Sequence, residues 1–146
     1  MSLPSRTLAV ECGDGHRFEV MACVPEQPLA RLLWLPALGV AARHYLPLAQ
    51  ALAAKGIAVY LHEWRGNGSS SLRPSRTQDW GYREVLEQDL PASQALLANA
   101  DAGEGVLPWI IGGHSLGGQL ACVHAGRQPQ HFEHLWLAAS CLLYTS

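Results

Sequence analysis

The sequence has little net charge and no long run of apolar residues. Its formal charge is −2 over 146 residues, so we expect neither nucleic acid nor an anionic membrane surface as a partner. No apolar run approaches the roughly 20 residues that a membrane-spanning helix needs. Residues 1–6 lack the apolar region of a secretory signal peptide. These absences favour a cytoplasmic protein without a membrane span.

Motifs that hold metals, nucleotides or disulfides are also missing. The chain has no H-E-x-x-H, no P-loop and no C-x-x-C pair. His131 and His134 have H-x-x-H spacing, but they lie on either side of a predicted strand start, which does not favour a metal site. The cysteines are predicted to be buried thiols: Cys12, Cys23, Cys122 and Cys141. We therefore expect no metal and no organic cofactor.

Apolar residues make up 49% of the chain, enough for one domain with a sizeable core. Short apolar runs alternate with segments of helical periodicity. Predicted strands cover residues 7–12, 17–24, 30–35, 57–61, 107–111 and 134–139. Predicted helices cover residues 41–55, 82–100 and 116–126, with a kink expected at Pro91. This order predicts an α/β fold with a mostly parallel sheet and an N-terminal antiparallel hairpin.

Three loops are expected to meet at one edge of this sheet. They comprise residues 36–42, 63–81 and 112–117, and each follows the carboxyl end of a predicted parallel strand. Open α/β sheets bind their ligands at that edge. Trp64, Trp80 and Tyr82 in or beside the long loop either line a pocket there or pack in the core.

The third loop carries the strongest motif, Gly113-His114-Ser115-Leu116-Gly117. It follows a buried apolar strand and precedes a helical segment, which is the context of a nucleophile elbow. Glycines on both sides of Ser115 allow a sharp turn and close packing of helix on strand. The turn places the Leu116 N–H beside the serine, at a helix N-terminus that favours negative charge. The alternative is an ordinary Gly/Ser turn between a strand and a helix.

Three loop motifs and the hairpin together resemble the first half of an α/β-hydrolase, over about residues 7–140. Residues 35–39 resemble the H-G-x-G loop, with Pro36-Ala37 in place of His-Gly. Residues 62–70 resemble the D-x-R-G-x-G-x-S loop, with Glu63 in place of Asp. Residues 113–118 match the elbow without change. The chain is most similar to serine-aminopeptidase-like and monoglyceride-lipase-like hydrolases.

The resemblance implies a role for three residues. Ser115 matches the nucleophile, the Leu116 N–H matches one oxyanion donor, and the Leu38 N–H matches the other. It further implies a small-molecule acyl substrate, most simply a carboxylic ester, with thioesters and amides as alternatives. Arg65 matches a residue of a structural turn and is assigned no chemistry.

The triad acid and histidine of the family follow its seventh and eighth strands, whereas this sequence ends after the sixth predicted strand. Of the histidines present, His44 and His114 are not expected to serve as the base, and His62 is a weak candidate. We expect residues 1–140 to be the N-terminal part of a hydrolase domain and to be inactive alone. Residues 141–146 resemble a read-through tail, the alternative being a genuine C-terminus. An exposed apolar edge strand at residues 134–139 predicts poor solubility.

Two other functions remain open at this point. One is an acyltransferase or a cofactor-free haloperoxidase on the same fold, since acceptor choice depends on a pocket that these residues only partly define. The other is a non-catalytic binding protein, because fold alone does not establish function.

Overall fold

Six strands form one sheet in the computed structural model, which describes residues 4–100 and 107–140. In chain order they are β1 (Arg6–Glu11), β2 (Arg17–Cys23), β3 (Ala30–Leu35), β4 (Ile57–Leu61), β5 (Trp109–His114) and β6 (His134–Ala138). Their order across the sheet is β1-β2-β4-β3-β5-β6. Strands β1 and β2 pair antiparallel, as do β2 and β4, and the other pairs are parallel. The predicted α/β fold with an N-terminal hairpin is confirmed.

Proline explains both differences between the predicted and the observed helices. Residues 41–55 were predicted as one helix, but a 3₁₀ turn at Ala42–Tyr45 precedes helix α1 (Leu46–Ala53). Pro47 has no N–H to bond the carbonyl four residues earlier, so regular α-helix begins only at the residue before it. The second predicted helix is divided into α2 (Tyr82–Glu84), a π-helical turn at Val85–Asp89 and α3 (Leu90–Ala100). The π turn lies directly before Pro91, where the kink was predicted.

The central strands bury both of their faces. Along β3, Leu32 and Trp34 belong to one apolar cluster together with residues of α1. Leu33 and Leu35 belong to a second cluster on the other face, together with residues of α3 and of helix α4 (Leu116–Arg127). Alternate residues of a strand point to opposite faces, so an apolar run without alternation is what a doubly covered parallel strand requires.

Strand β5 continues three residues beyond the predicted apolar run and reaches His114 in the elbow motif. Gly112 and Gly113 pair with β3 on one side and with β6 on the other. Glycine has a low β-propensity, but pairing on both sides outweighs it. The carboxyl end of β5 therefore leads straight into Ser115.

Strand β6 lies at the edge of the sheet formed by the described residues. Leu135 and Trp136 are 46% and 39% exposed there, in line with the predicted apolar edge; the solubility of the chain stays a prediction. The predicted tail, residues 141–146, lies outside the described residues. No helix within the described ranges is long and apolar enough to cross a bilayer.

Candidate active site

Ser115 occupies the sharp turn between β5 and α4 with an unusual backbone conformation. Its φ is 56° and its ψ is −121°, a region that non-glycine residues rarely adopt and that costs of order 1–3 kcal/mol. The Ser115 N–H donates to the carbonyl of Ala138 at 3.0 Å, and the Ser140 hydroxyl donates to the Ser115 carbonyl at 2.9 Å. Contacts from the end of β6 thus hold the strained turn in place.

Two glycines permit this turn to pack against the rest of the sheet. A Cβ on Gly113 would lie 2.4 Å from the carbonyl carbon of Gly117. A Cβ on Gly117 would lie 2.2 Å from the carbonyl oxygen of Pro36. Because both distances are far below van der Waals contact, neither position accepts a side chain. The arrangement is the strand, strained serine and helix of a nucleophile elbow.

Two backbone N–H groups that the sequence singled out are free to bind a ligand. Leu116 is the first residue of α4, where helical N–H groups have no intrahelical acceptor. Leu38 lies in the loop after β3, with its residue 59% exposed. Neither N–H donates a hydrogen bond to any residue that the structure describes. Both are therefore available to a developing oxyanion.

The loop that carries Leu38 is anchored at the two residues before it. The Trp64 indole N–H donates to the carbonyl of Pro36 at 2.7 Å. The Ala37 N–H donates to the hydroxyl of Tyr45 at 2.8 Å. That hydroxyl also lies 3.0 Å from Nδ1 of His114, the residue before Ser115. Tyr45 thereby connects the loop that carries Leu38 to the elbow, a role that no sequence motif indicated.

Glu63 joins the loop after β3 to the loop after β4. One carboxylate oxygen accepts the Ala42 N–H at 2.9 Å. The other accepts the N–H of Ser69 at 3.2 Å and its hydroxyl at 3.3 Å. Together with the contact of Gly117 on Pro36, these bonds bring the three predicted loops together at one edge. Glutamate in place of the family's aspartate still serves as a structural carboxylate.

A buried charge network holds the base of the long loop. Asp89 is fully buried and binds the Arg65 guanidinium through both carboxylate oxygens, at 2.8 and 3.1 Å. It also lies 2.8 Å from Nδ1 of His16, whose Nε2 is 2.7 Å from the Ser70 hydroxyl oxygen. Burial alone would raise the pKa of Asp89, but the bonds from His16 and Arg65 bring that pKa down to about 2.

This Ser70–His16–Asp89 chain has the connectivity of a catalytic triad but not its exposure. Ser70 is 6% exposed and His16 1%. The Ser70 oxygen also accepts backbone N–H bonds from Gly66 and Leu72 at 3.0 and 3.2 Å. A hydroxyl enclosed in this way cannot reach a substrate, so these three hydrogen-bonded residues have a structural role. Sequence reasoning missed Asp89 and His16, because they are 73 residues apart and carry no motif.

Neither the weak candidate His62 nor the two histidines not expected to serve, His44 and His114, hydrogen-bonds the serine hydroxyl. His62 is 1% exposed, its Nδ1 lies 3.0 Å from the hydroxyl of Ser93, and burial lowers its pKa to about 4. Nδ1 of His114 is hydrogen-bonded with the Tyr45 hydroxyl, and His44 lies exposed on the 3₁₀ turn. Within residues 4–100 and 107–140, no side chain hydrogen-bonds the Ser115 hydroxyl.

One cluster has the composition of a metal site, but its charges are already balanced. Ligand atoms of Cys12, His16 and Asp89 lie within 4.8 Å of one another. The Cys12 thiol donates to Asp89 at 3.3 Å, and burial raises its pKa to about 12. Because the Arg65 cation binds the same carboxylate, a second cation there would be repelled.

A strained serine at a strand–helix elbow, at the carboxyl end of a central strand of this mixed sheet, defines the chain as an α/β-hydrolase-fold protein. The chain belongs to the serine aminopeptidase S33 family, whose model matches residues 26–145. No curated protein matches the chain.

Solved structures support this assignment. An α/β hydrolase from Novosphingobium aromaticivorans is 28% identical, with a TM-score of 0.73 over 94% of this chain and 45% of its own. A thioesterase domain from the curacin biosynthetic pathway is 22% identical, with a TM-score of 0.72 over 98% and 49%. A carboxyl esterase from Bacillus coagulans is 19% identical, with a TM-score of 0.72 over 93% and 44%. Because the thioesterase domain and the carboxyl esterase are less than 25% identical to this chain, they show only that the fold is shared. The chain spans less than half the length of the structures it matches.

Proposed function

We propose that the protein is a serine hydrolase that cleaves carboxylic esters through an acyl-enzyme on Ser115. The observation that carries this proposal is the strained Ser115 next to the unbonded Leu116 N–H, with a second unbonded N–H at Leu38 in the loop after β3. Strain at a positive φ persists only where the surrounding structure enforces it, and it is concentrated at functional sites. A Gly/Ser turn without a catalytic role would need neither this strain nor two vacant donors.

The reaction follows from these positions. The Ser115 hydroxyl oxygen attacks the ester carbonyl carbon while its proton passes to a general base. The carbonyl oxygen becomes an oxyanion held by the N–H groups of Leu38 and Leu116, each contributing on the order of 3 kcal/mol. The bond to the leaving alcohol then breaks, and the alcohol takes the proton. Water repeats the sequence on the acyl-enzyme and releases the acid. These steps need neither a metal nor an organic cofactor.

The general base is proposed to come from outside the described residues. No histidine in the described ranges hydrogen-bonds the Ser115 hydroxyl, and this chain spans less than half of each matched structure. In the family, the histidine and its orienting acid follow later strands. The 146-residue chain by itself is therefore proposed to be inactive or nearly so.

Three further parts of the proposal concern the substrate, a nucleic-acid partner and the location. The substrate is a small acyl compound, since a carboxyl esterase and a thioesterase domain share the fold. The low net charge supports the absence of a nucleic-acid partner. The protein is proposed to act in the cytoplasm.

A fluorophosphonate probe tests the nucleophile. The complete reading frame is expressed, and the probe is applied to it and to its Ser115→Ala and Ser75→Ala variants, the last being an exposed loop serine. We expect labelling of the parent and of Ser75→Ala, and its loss in Ser115→Ala. A well-folded complete protein that is not labelled would favour a binding protein on a hydrolase fold. Release of acid or of a new ester in the presence of alcohols separates hydrolysis from acyl transfer.

A further inference from the structure

A cleft of about 380 Å³ lies between the loop after β3, which carries Leu38, and the loop after β4. Leu38 and Gly39 form part of its wall. The residue that presents one candidate oxyanion N–H thus also lines the cleft. Ser115 and Leu116 do not line the cleft, so Leu38 and Gly39 are the residues that connect it with the candidate site.

Aromatic and aliphatic side chains dominate the rest of the lining. They are Trp64, Pro74, Trp80, Tyr82 and Val85. Trp64 is only 3% exposed and its indole N–H is bonded to the Pro36 carbonyl, so it contributes a small carbon surface at the base of the cleft. Tyr82 is 48% exposed, so its ring is accessible to a ligand from solvent. Such a lining favours a flat apolar group, which stacks on or meets the edges of aromatic rings.

Trp80 is held by the backbone beside it. Gly66 has a φ of +93°, and a Cβ there would lie 2.6 Å from ring carbon Cζ2 of Trp80. The indole therefore packs directly on the glycine, with Pro74 nearby. A ring fixed in this way loses little further freedom when a ligand binds.

The charges in the lining oppose an anionic ligand. The Arg65 side chain is 4% exposed and is bound to Asp89 and Asp14, each at 2.8 Å, so it offers no free cation. Asp79 lines the cleft, is exposed, and accepts only the N–H of Trp80 among the described residues. The uncompensated charge in the wall is therefore negative.

We propose that this cleft is an acyl subsite for a neutral aryl or arylalkyl group. The proposal rests on the proposed function, since it assigns the cleft to the acyl part of the ester. A volume of about 380 Å³ is near the lower end of small-molecule pockets, roughly 300–1,000 Å³. It suits one aromatic ring with a short linker better than a long alkyl chain.

Indole NMR signals test this subsite without requiring catalysis. The complete reading frame with Ser115→Ala, labelled with ¹⁵N, is titrated with methyl 3-phenylpropanoate, and the Nε1–H signals of the five tryptophans in these 146 residues are followed. We expect saturable shifts for Trp64 and Trp80 and none for Trp34, Trp109 or Trp136. The 3-phenylpropanoate anion and methyl decanoate should each bind at least about fivefold more weakly.

Two variants complete the test. Tyr82→Ala should weaken binding of the aryl ester by about fivefold, the loss expected for one aromatic contact. Val123→Ala removes a 42% exposed apolar side chain from α4, which does not line the cleft, and should leave binding unchanged. Thermal unfolding of each variant shows whether it is folded.

Each outcome bears on the subsite separately from Ser115. Shifts confined to Trp136, or no shifts at all, overturn the subsite even if the probe labels Ser115. Equal binding of the anion or of methyl decanoate overturns its assignment to a neutral aryl group. Saturable shifts of Trp64 and Trp80 in a protein that is never labelled keep the cleft as a ligand site and reject the hydrolase.

Discussion

The hydroxyl of Tyr45 hydrogen-bonds both the loop that carries Leu38 and the elbow, and Tyr45→Phe removes this hydroxyl alone. The hydroxyl oxygen accepts the Ala37 N–H at 2.8 Å and lies 3.0 Å from Nδ1 of His114. Phenylalanine retains the ring contacts with Trp34 and His114, whose centroids are 6.1 and 6.0 Å away.

The expected cost follows from the groups left without partners. Losing both bonds leaves the Ala37 N–H, which is only partly buried, without its acceptor, at a cost of about 1–3 kcal/mol. For a chain of this size the Tm should fall by about 3–10 °C. The same free energy corresponds to about 5- to 150-fold faster exchange of the Ala37 amide hydrogen if it exchanges by local opening.

Amide exchange by NMR and thermal unfolding measure these effects. Tyr82→Phe is the matched control, since no described residue hydrogen-bonds the Tyr82 hydroxyl. In the complete enzyme, the labelling rate of Ser115 should fall by about ten- to a hundredfold, less than the 10²–10³ typical of losing an oxyanion donor outright. Unchanged Ala37 exchange and an unchanged Tm in Tyr45→Phe would refute the proposed coupling.

Three other predictions concern the elbow, the buried carboxylate and acid stability. Gly117→Ala places a Cβ 2.2 Å from a backbone carbonyl oxygen and should cost more than about 2 kcal/mol in urea unfolding. Gly126→Ala, in the same helix but with open space around it, should instead stabilise by about 0.5–1 kcal/mol. Asp89→Asn removes the fully buried carboxylate that binds Arg65, which leaves the cation only the partly exposed Asp14, and should cost about 3–5 kcal/mol in the same assay. Burial lowers the pKa of His62 and of His124 from 6.5 to about 4. Each neutral histidine contributes up to about 3 kcal/mol to the free energy of unfolding. This contribution is fully present above pH 6.5 and is lost as the pH falls through about 4. A Tm that stays constant from pH 7 to pH 4.5 would contradict this.

The departures from the family motifs are compensated by other contacts. Pro36-Ala37 replaces His-Gly, yet the loop is anchored by Trp64 at the Pro36 carbonyl and by Tyr45 at the Ala37 N–H. Glu63 replaces aspartate and still accepts two backbone N–H bonds. These substitutions therefore leave the N–H of Leu38 free, as the motif requires.

Local sequence patterns predicted the strands and the elbow because their causes are local. Strands β3 and β4 are apolar runs with the bounds that the pattern indicated. Gly113 and Gly117 predicted a turn that no other residue permits. The interruption near Pro91 follows from one missing N–H, so the sequence located it, although only the structure showed that it is a π turn.

The contacts around the site could not be predicted, because they join residues far apart in the chain. His16 meets Asp89 across 73 positions, and Tyr45 meets His114 across 69. Which polar groups share a buried volume depends on the packing of helices on the sheet, and no spacing rule reports it. The sequence by itself determined the order of elements and the position of Ser115. Only the tertiary structure decided that Tyr45 anchors the loop that carries Leu38 and that His62 is a buried neutral side chain. The reason is that hydrogen bonds between distant residues and desolvation arise only when distant segments pack together.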